Sequence, residues 1–347
     1  MTNAPGTAPR RRRWWKRLGF TGVGLAIVVA TFFFILPQIA DYRDVWDVIT
    51  DLSWAWIAAL AAAMLLNLST FAPPWMAALP GLGYRQSFVM TQASTALSLV
   101  VPGGAAVGMA GSYGMLRSWG LQAASVARAV TLTGVWNQLA TFLFPVLGIA
   151  LLAGRTETQP LLGLMALVGA GVFGVLVAGL VLILWSDRLA RDLGDVAARV
   201  VSRVKAGIRR GPVGWGGAAF VRFRHDTVGL LRRRWYWLTL ATLAGHLTVF
   251  VVLVVSLRAV GIDADRVSLA EAFASWSLIR VLGALPITPG GFGVVELGLT
   301  GLLVGFGGRS ASVVAAVLLY RFLTVVPTLL LGLLSVATWR LHRPRGA

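Results

Sequence analysis

The feature that most constrains this chain is the length of its uncharged apolar runs. Residues 160–185 (PLLGLMALVGAGVFGVLVAGLVLILW) contain no charged side chain. At roughly 1.5 Å per residue, a helix of that length crosses a hydrocarbon core about 30 Å thick. Lipid offers no partners to backbone N–H and C=O groups, so such a run must close its own hydrogen bonds as a helix. Apolar runs of similar length, three of them with one arginine each, lie at 18–39, 52–72, 121–152, 235–260 and 311–339. With 57% hydrophobic and 13% charged residues, the chain reads as an all-α polytopic membrane protein with six full spans.

Two further apolar segments are interrupted. Residues 87–116 are broken at VVPGG (100–104), and residues 268–306 at PITPGG (286–291). Proline stops the first arm of each segment and glycine permits the reversal. The arms are marginal for upright crossing, so each unit reads as a re-entrant helical hairpin with its tip inside the membrane. A pair of full spans is the alternative, and either form returns the chain to the side it came from.

Charge placement gives the orientation. The basic stretch RRRRWWKR (10–17) sets a cytoplasmic N-terminus, and the apolar run after it is too long for a signal peptide, so a retained first span is expected. The first external loop is acidic, with Asp41, Asp44, Asp47 and Asp51 against Arg43. Residues 186–234 carry 12 Arg/Lys against 4 Asp, which reads as a cytoplasmic connection. Within it Leu189, Leu193, Val196, Val200, Val204 and Ile208 recur at helical spacing. That stripe fits an interfacial helix on an anionic leaflet, or equally one packed under the bundle.

The resulting organisation has five parts. A basic cytoplasmic N-terminus (1–17) is followed by a first membrane repeat with the first span of the second (18–185). The connection (186–234), the rest of the second repeat (235–340) and a cytoplasmic tail (341–347) complete it. Each half enters the membrane from the opposite side. A shift of 187 residues aligns Pro102-Gly103-Gly104 with Pro289-Gly290-Gly291, and Ala124-Ser125-Val126 with Ala311-Ser312-Val313. This is the pattern of an inverted repeat in a multi-pass protein of the inner or plasma membrane.

Several chemistries find no footing. The net charge of +18 follows the membrane flanks rather than a nucleic-acid face. There is no cysteine, hence no disulfide framework or thiol chemistry. His225, His246 and His342 show no metal spacing, and neither lysine (Lys16, Lys205) lies in a P-loop. Gly291-x-Gly293-x-x-Glu296 lacks the third glycine and the preceding strand of a dinucleotide site. No cofactor is expected. Gly104-x-x-x-Gly108 and Gly301-x-x-x-Gly305 suggest close helix contacts.

The charges within apolar segments are the stronger lead. Arg128, Arg280, Glu296 and Arg321 fall at bilayer depth, where a charge costs roughly 2.5–3.5 kcal/mol and so faces a partner or a wet cavity. Glu296 would pair with Arg280 or Arg321 and tie the second hairpin to the last span. In the functional reading the arginines hold a phosphate through paired N–H donors, and the exposed helix end at the break adds free N–H groups. Glu296 then balances a cationic headgroup or carries a proton. Met109 occupies the matching position in the first repeat. The hinge itself is Pro102, Gly103, Gly104, Pro286, Pro289, Gly290, Gly291 and Gly293.

The stretch LPITPGGFGVVE with the late Leu319-Tyr320-Arg321 resembles the transmembrane region of the lysylphosphatidylglycerol synthases, a flippase-like family of integral membrane proteins. PGGxGxxE is matched at Pro289, Gly290, Gly291, Gly293 and Glu296, and the resemblance extends over about residues 18–340. It implies a domain that moves phospholipid or a lipid-linked headgroup between leaflets. The synthases' aminoacyltransferase domain is not expected here, because only eight residues follow the last span. Two other readings stand beside this one. One is a polyprenyl-dependent glycosyltransferase using Asp41 and Asp44. The other is a non-transporting membrane partner of a separate synthase or transferase.

Overall fold

The computed structural model describes residues 42–101, 103–154, 160–206, 211 and 213–342. The basic N-terminus, the expected span at 18–39, Asp41, Pro102 and the end of the tail lie outside the described residues. In chain order the helices are α1 (Tyr42–Thr50), α2 (Trp54–Thr70), α3 (Pro73–Ala78), α4 (Tyr84–Leu99), α5 (Gly104–Ser118) and α6 (Ala123–Ala153). They continue as α7 (Pro160–Trp185), α8 (Asp187–Ala206), α9 (Gly217–Ala259), α10 (Leu269–Gly283), α11 (Val294–Gly305) and α12 (Ser310–Thr338). Two 3-10 turns, Pro289–Gly291 and Trp339–His342, complete the described elements. No strand occurs among the described residues.

Five helical stretches are long and apolar enough to cross a membrane: Trp54–Ala78, Ala123–Ala153, Gly163–Trp185, Gly217–Ala259 and Ser310–His342. They coincide with the five expected spans that fall in the described residues. None of the apolar window of α7 is buried, against 44% for α9 and for α12. Val175 and Leu333 stand 73% and 69% exposed. Apolar surface of that extent has no favourable contact with water, and a helix apolar on all sides is satisfied by lipid.

The span expected at 235–260 needs a boundary correction, because α9 starts at Gly217 and runs 43 residues without interruption. Asp195 of α8 accepts a hydrogen bond from Gly217 N at 2.7 Å. That carboxylate satisfies one of the donors a helix start leaves open and suits its positive end. The connection is therefore α8, a glycine-rich link and the first turns of α9. On α8, Ala190 is buried while Leu189, Leu193, Val196 and Val200 are exposed, so the apolar stripe is not packed beneath the bundle. Of the remaining stripe residues, Ile208 lies outside the described residues.

The chain divides into two compact units. One comprises the chain up to Leu68 with Val89–Ser112 and Val249–Thr338; the other comprises Ser69–Phe88, Tyr113–Thr248 and the segment from Trp339. In the first, α10, α11 and α12 pack in succession and α1 packs on α12. Ser268 and Glu271 cap the start of α10 reciprocally. Phe250, Phe273 and Trp276 form an aromatic cluster with ring centroids 5.1–5.6 Å apart.

Both chain breaks belong to this first unit, and they meet. A side chain at Gly290 would come 3.1 Å from the carbonyl oxygen of Leu99, and one at Gly103 would lie 3.9 Å from Cβ of Pro286. α12 also reaches the first hairpin, since a Cβ on Gly332 would come within 2.2 Å of Ala96 Cβ. The two GxxxG pairs behave differently. A Cβ at Gly104 or Gly108 would collide with Ser98 at 1.7 and 1.9 Å, whereas one at Gly301 or Gly305 would meet nothing within 4 Å. Among the described residues the second pair meets no neighbouring helix.

In the second unit α6 packs on α7 and α3, and α7 on α8. Trp136 Nε1 donates to Thr239 Oγ1 at 2.9 Å, and Thr70 and Thr248 share a hydrogen bond of 2.8 Å. His246 is buried with its ring edge-on to Phe71 and Phe144, centroids 6.4 and 5.8 Å away.

Candidate functional site

The second break is where the sequence's charge problem is solved. After α10 ends at Gly283 the backbone leaves the helix, makes the 3-10 turn Pro289–Gly291, and re-enters at α11. Gly290, Gly291 and Gly293 have φ of 57°, 67° and 83°. These left-handed values are strained for any residue with a Cβ, so the glycines are required by the path of the loop. Glu296 then falls in the first turn of α11. Its Oε2 accepts from Gly293 N at 2.7 Å, satisfying a donor at the helix start.

The other carboxylate oxygen accepts from Arg321. Nε of Arg321 lies 2.6 Å from Glu296 Oε1, with the side chains 12% and 1% exposed respectively. The guanidinium also donates from NH2 to the carbonyl oxygen of Gly290 at 3.0 Å, and its carbon stands 4.8 Å from the ring centroid of Phe292. One planar group thus binds a carboxylate, a loop carbonyl and an aromatic face together. A lysine ammonium could not reproduce that set. Residues 290–293 are wrapped on Arg321, and α12 is bound to the break.

The arginine that pairs with Glu296 is therefore Arg321. Arg280, on α10, has its guanidinium carbon 5.1 Å from the ring centroid of Trp276. Arg128 belongs to the other compact unit and lies 3.6 Å from Asp226. The helix start at the break is not an open anion site, because Glu296 supplies the negative charge there. Two hydroxyls in this region remain without a hydrogen-bond partner among the described residues: Thr288 Oγ1 on the break and Thr300 Oγ1, one turn after Glu296. Both residues are buried, at 3% and 0% exposure. The sequence reading did not mark them, although Thr288 interrupts the PITPGG motif itself.

The other hinge residues are found in three places. Gly103 has φ of 69°, Gly104 opens α5, and Pro286 lies in the loop between α10 and the 3-10 turn, beside Gly103. Asp44 is exposed on α1. No group of three or more metal-ligating side chains occurs among the described residues.

A family model described as the lysylphosphatidylglycerol synthase TM region matches residues 22–332. The chain belongs to that family. The match covers both breaks, all four residues Arg128, Arg280, Glu296 and Arg321, and every described helix except the last turns of the C-terminal one. No curated protein matches the chain. Family membership and the lipid-facing helices together make this an integral, multi-span membrane protein of a lipid-related family.

Proposed function

We propose that this chain binds a phospholipid or lipid-linked headgroup at the second break and moves it between leaflets. The observation that carries the reading is the Glu296–Arg321 pair, buried at a helix interruption rather than in a continuous helix. An ion pair inside a membrane protein costs desolvation on both charges, and ionisable groups at bilayer depth commonly mark a substrate or ion path. A zwitterionic or amino-bearing headgroup exchanges partners with it, its phosphate taking Arg321 and its cationic group taking Glu296. An anionic headgroup uses Arg321 while Glu296 stays on the N–H of Gly293.

Two features support this beyond the charges. The hydroxyls of Thr288 and Thr300 are polar capacity that the fold leaves unspent. The glycines at 290, 291 and 293 also hold the loop in left-handed conformations that a residue with a Cβ rarely adopts. The meeting of the two breaks fits re-entrant hairpins related by inverted repeats, with discontinuous helices joined at depth. The exposed stripe of α8 fits a helix lying in the interface.

The test is lipid scrambling in vesicles reconstituted with the full chain. Fluorescent phosphatidylglycerol, phosphatidylethanolamine and phosphatidylcholine are each quenched from outside. The expected result is quenching beyond the outer leaflet's share for at least one of them. Quenching limited to that share for every lipid, with the protein monodisperse and incorporated, overturns the proposal.

A further inference from the structure

The second compact unit contains a cavity of its own, about 590 Å³, that none of the reasoning above uses. Its volume lies in the range of ligand sites, roughly 300–1,000 Å³. Arg128, Arg233 and Arg234 line it together with His225 and a single carboxylate, Asp226. Three guanidiniums against one carboxylate leave an excess of positive charge.

Asp226 offsets part of that charge. Asp226 lies 3.6 Å from Arg128, beyond ordinary hydrogen-bond length, and Nε of Arg128 is buried with no partner among the described residues. Asp187 already takes Arg224 and stands 3.2 Å from His225 Nε2. No carboxylate among the described residues lies within ion-pair distance of Arg233 or Arg234. Arg234 makes only a long contact to the carbonyl of Met76, 3.4 Å.

Depth identifies the ligand's setting. Arg232-Arg233-Arg234 is followed directly by Trp235-Tyr236-Trp237, whose side chains are 57%, 45% and 59% exposed. After them α9 becomes apolar to Ala259. Exposed aromatic residues at the foot of an apolar span mark the headgroup level of a bilayer. An arginine cluster at that level meets phosphates, and guanidinium presents paired N–H donors to them.

We propose that this cavity binds a phosphate ester through Arg128, Arg233 and Arg234, and that at this depth the ester is the headgroup of an anionic lipid. The proposal shares no residue with the Glu296–Arg321 pair and stands whether or not that pair takes part in moving lipid. Asp226 holds Arg128 in place and would discriminate against a second negative charge near it.

The experiment is lipid retention by the full chain purified in detergent, read by native mass spectrometry. Phosphatidylglycerol and phosphatidylcholine are offered separately to wild type, Arg128→Gln, Arg233→Gln and, as a charge-matched control on an exposed site elsewhere, Arg309→Gln. Wild type is expected to retain phosphatidylglycerol over phosphatidylcholine. Each cavity variant should bind about fivefold more weakly, the value of one arginine–phosphate contact at a membrane surface. Arg309→Gln should match wild type.

Glycerol phosphate as competitor separates the sources. Displacement at equal concentration assigns a free phosphate ligand and overturns the lipid assignment, whereas no displacement supports it. Arg233 is exposed with no fold-holding contact, so Arg233→Gln remains informative if Arg128→Gln fails to fold. Wild-type retention in a monodisperse Arg233→Gln variant overturns the site.

Discussion

The two breaks are made from the same tripeptide and are held closed in different ways. At the first, Gly104 and Gly108 sit directly on Ser98, and Ser98 Oγ donates to Ser94 O at 2.9 Å. Small residues and neutral hydroxyls suffice, and Met109, in the register of Glu296, is 42% exposed. At the second, a buried carboxylate and guanidinium bind the loop to α12. Shifting Arg321 and Arg280 by 187 residues gives Gly134 and Ala93, so the polar apparatus has no counterpart in the first half. Repetition of PGG interrupts both apolar segments. Among the described residues, the buried ion pair is found at the second break.

Substitutions can break or sharpen this contrast. The largest effect is expected from Arg321→Gln or Glu296→Ala, each leaving a buried charge uncompensated. Loss of about 3–5 kcal/mol is predicted, read as a fall in melting temperature in detergent. Met109→Ala should change stability by less than about 0.5 kcal/mol. If Arg321→Gln melts like wild type, the pair is not what closes the second break.

Next in size is Gly104→Ala. Its Cβ would stand 1.7 Å from the carbonyl oxygen of Ser98, so the arms must separate at a cost of about 1–3 kcal/mol. Phe292→Leu removes the ring beneath Arg321 and should cost about 1 kcal/mol. A loss no larger than that of Met109→Ala would show that the stacking contributes nothing. Smallest, and opposite in sign, is Gly301→Ala. With open space at its Cβ, it should stabilise α11 by about 0.5–1 kcal/mol, seen as a small rise in melting temperature.

Much of this was legible in the sequence, for identifiable reasons. The spans are long apolar runs, and bilayer thickness leaves them little freedom. PGG marks both breaks because proline and glycine act locally. The start of α9 was hidden because its first turns are arginine-rich and follow a glycine-rich link, so composition resembles a connection while the backbone is helical. Spacing could not say which arginine meets Glu296, since Arg280 and Arg321 are both intramembrane and only tertiary packing chooses. Spacing likewise gave no sign that Asp226 lies beside Arg128. GxxxG spacing places two glycines on one face without saying whether a neighbour occupies it. The cavity at Arg233 and Arg234 had a visible signal, three arginines directly before Trp-Tyr-Trp, that was read only as an orientation marker.

The measurement that tests the central claim most directly is the scrambling rate of Glu296→Gln set against Met109→Gln, at equal incorporation and below both melting temperatures. The two substitutions place the same amide at equivalent positions of the two breaks. If the charged pair at the second break handles the headgroup, Glu296→Gln slows scrambling at least about tenfold, as expected for loss of a buried charge contact, while Met109→Gln keeps the wild-type rate. Equal rates in the two variants would contradict it and leave Glu296 and Arg321 as a structural tie.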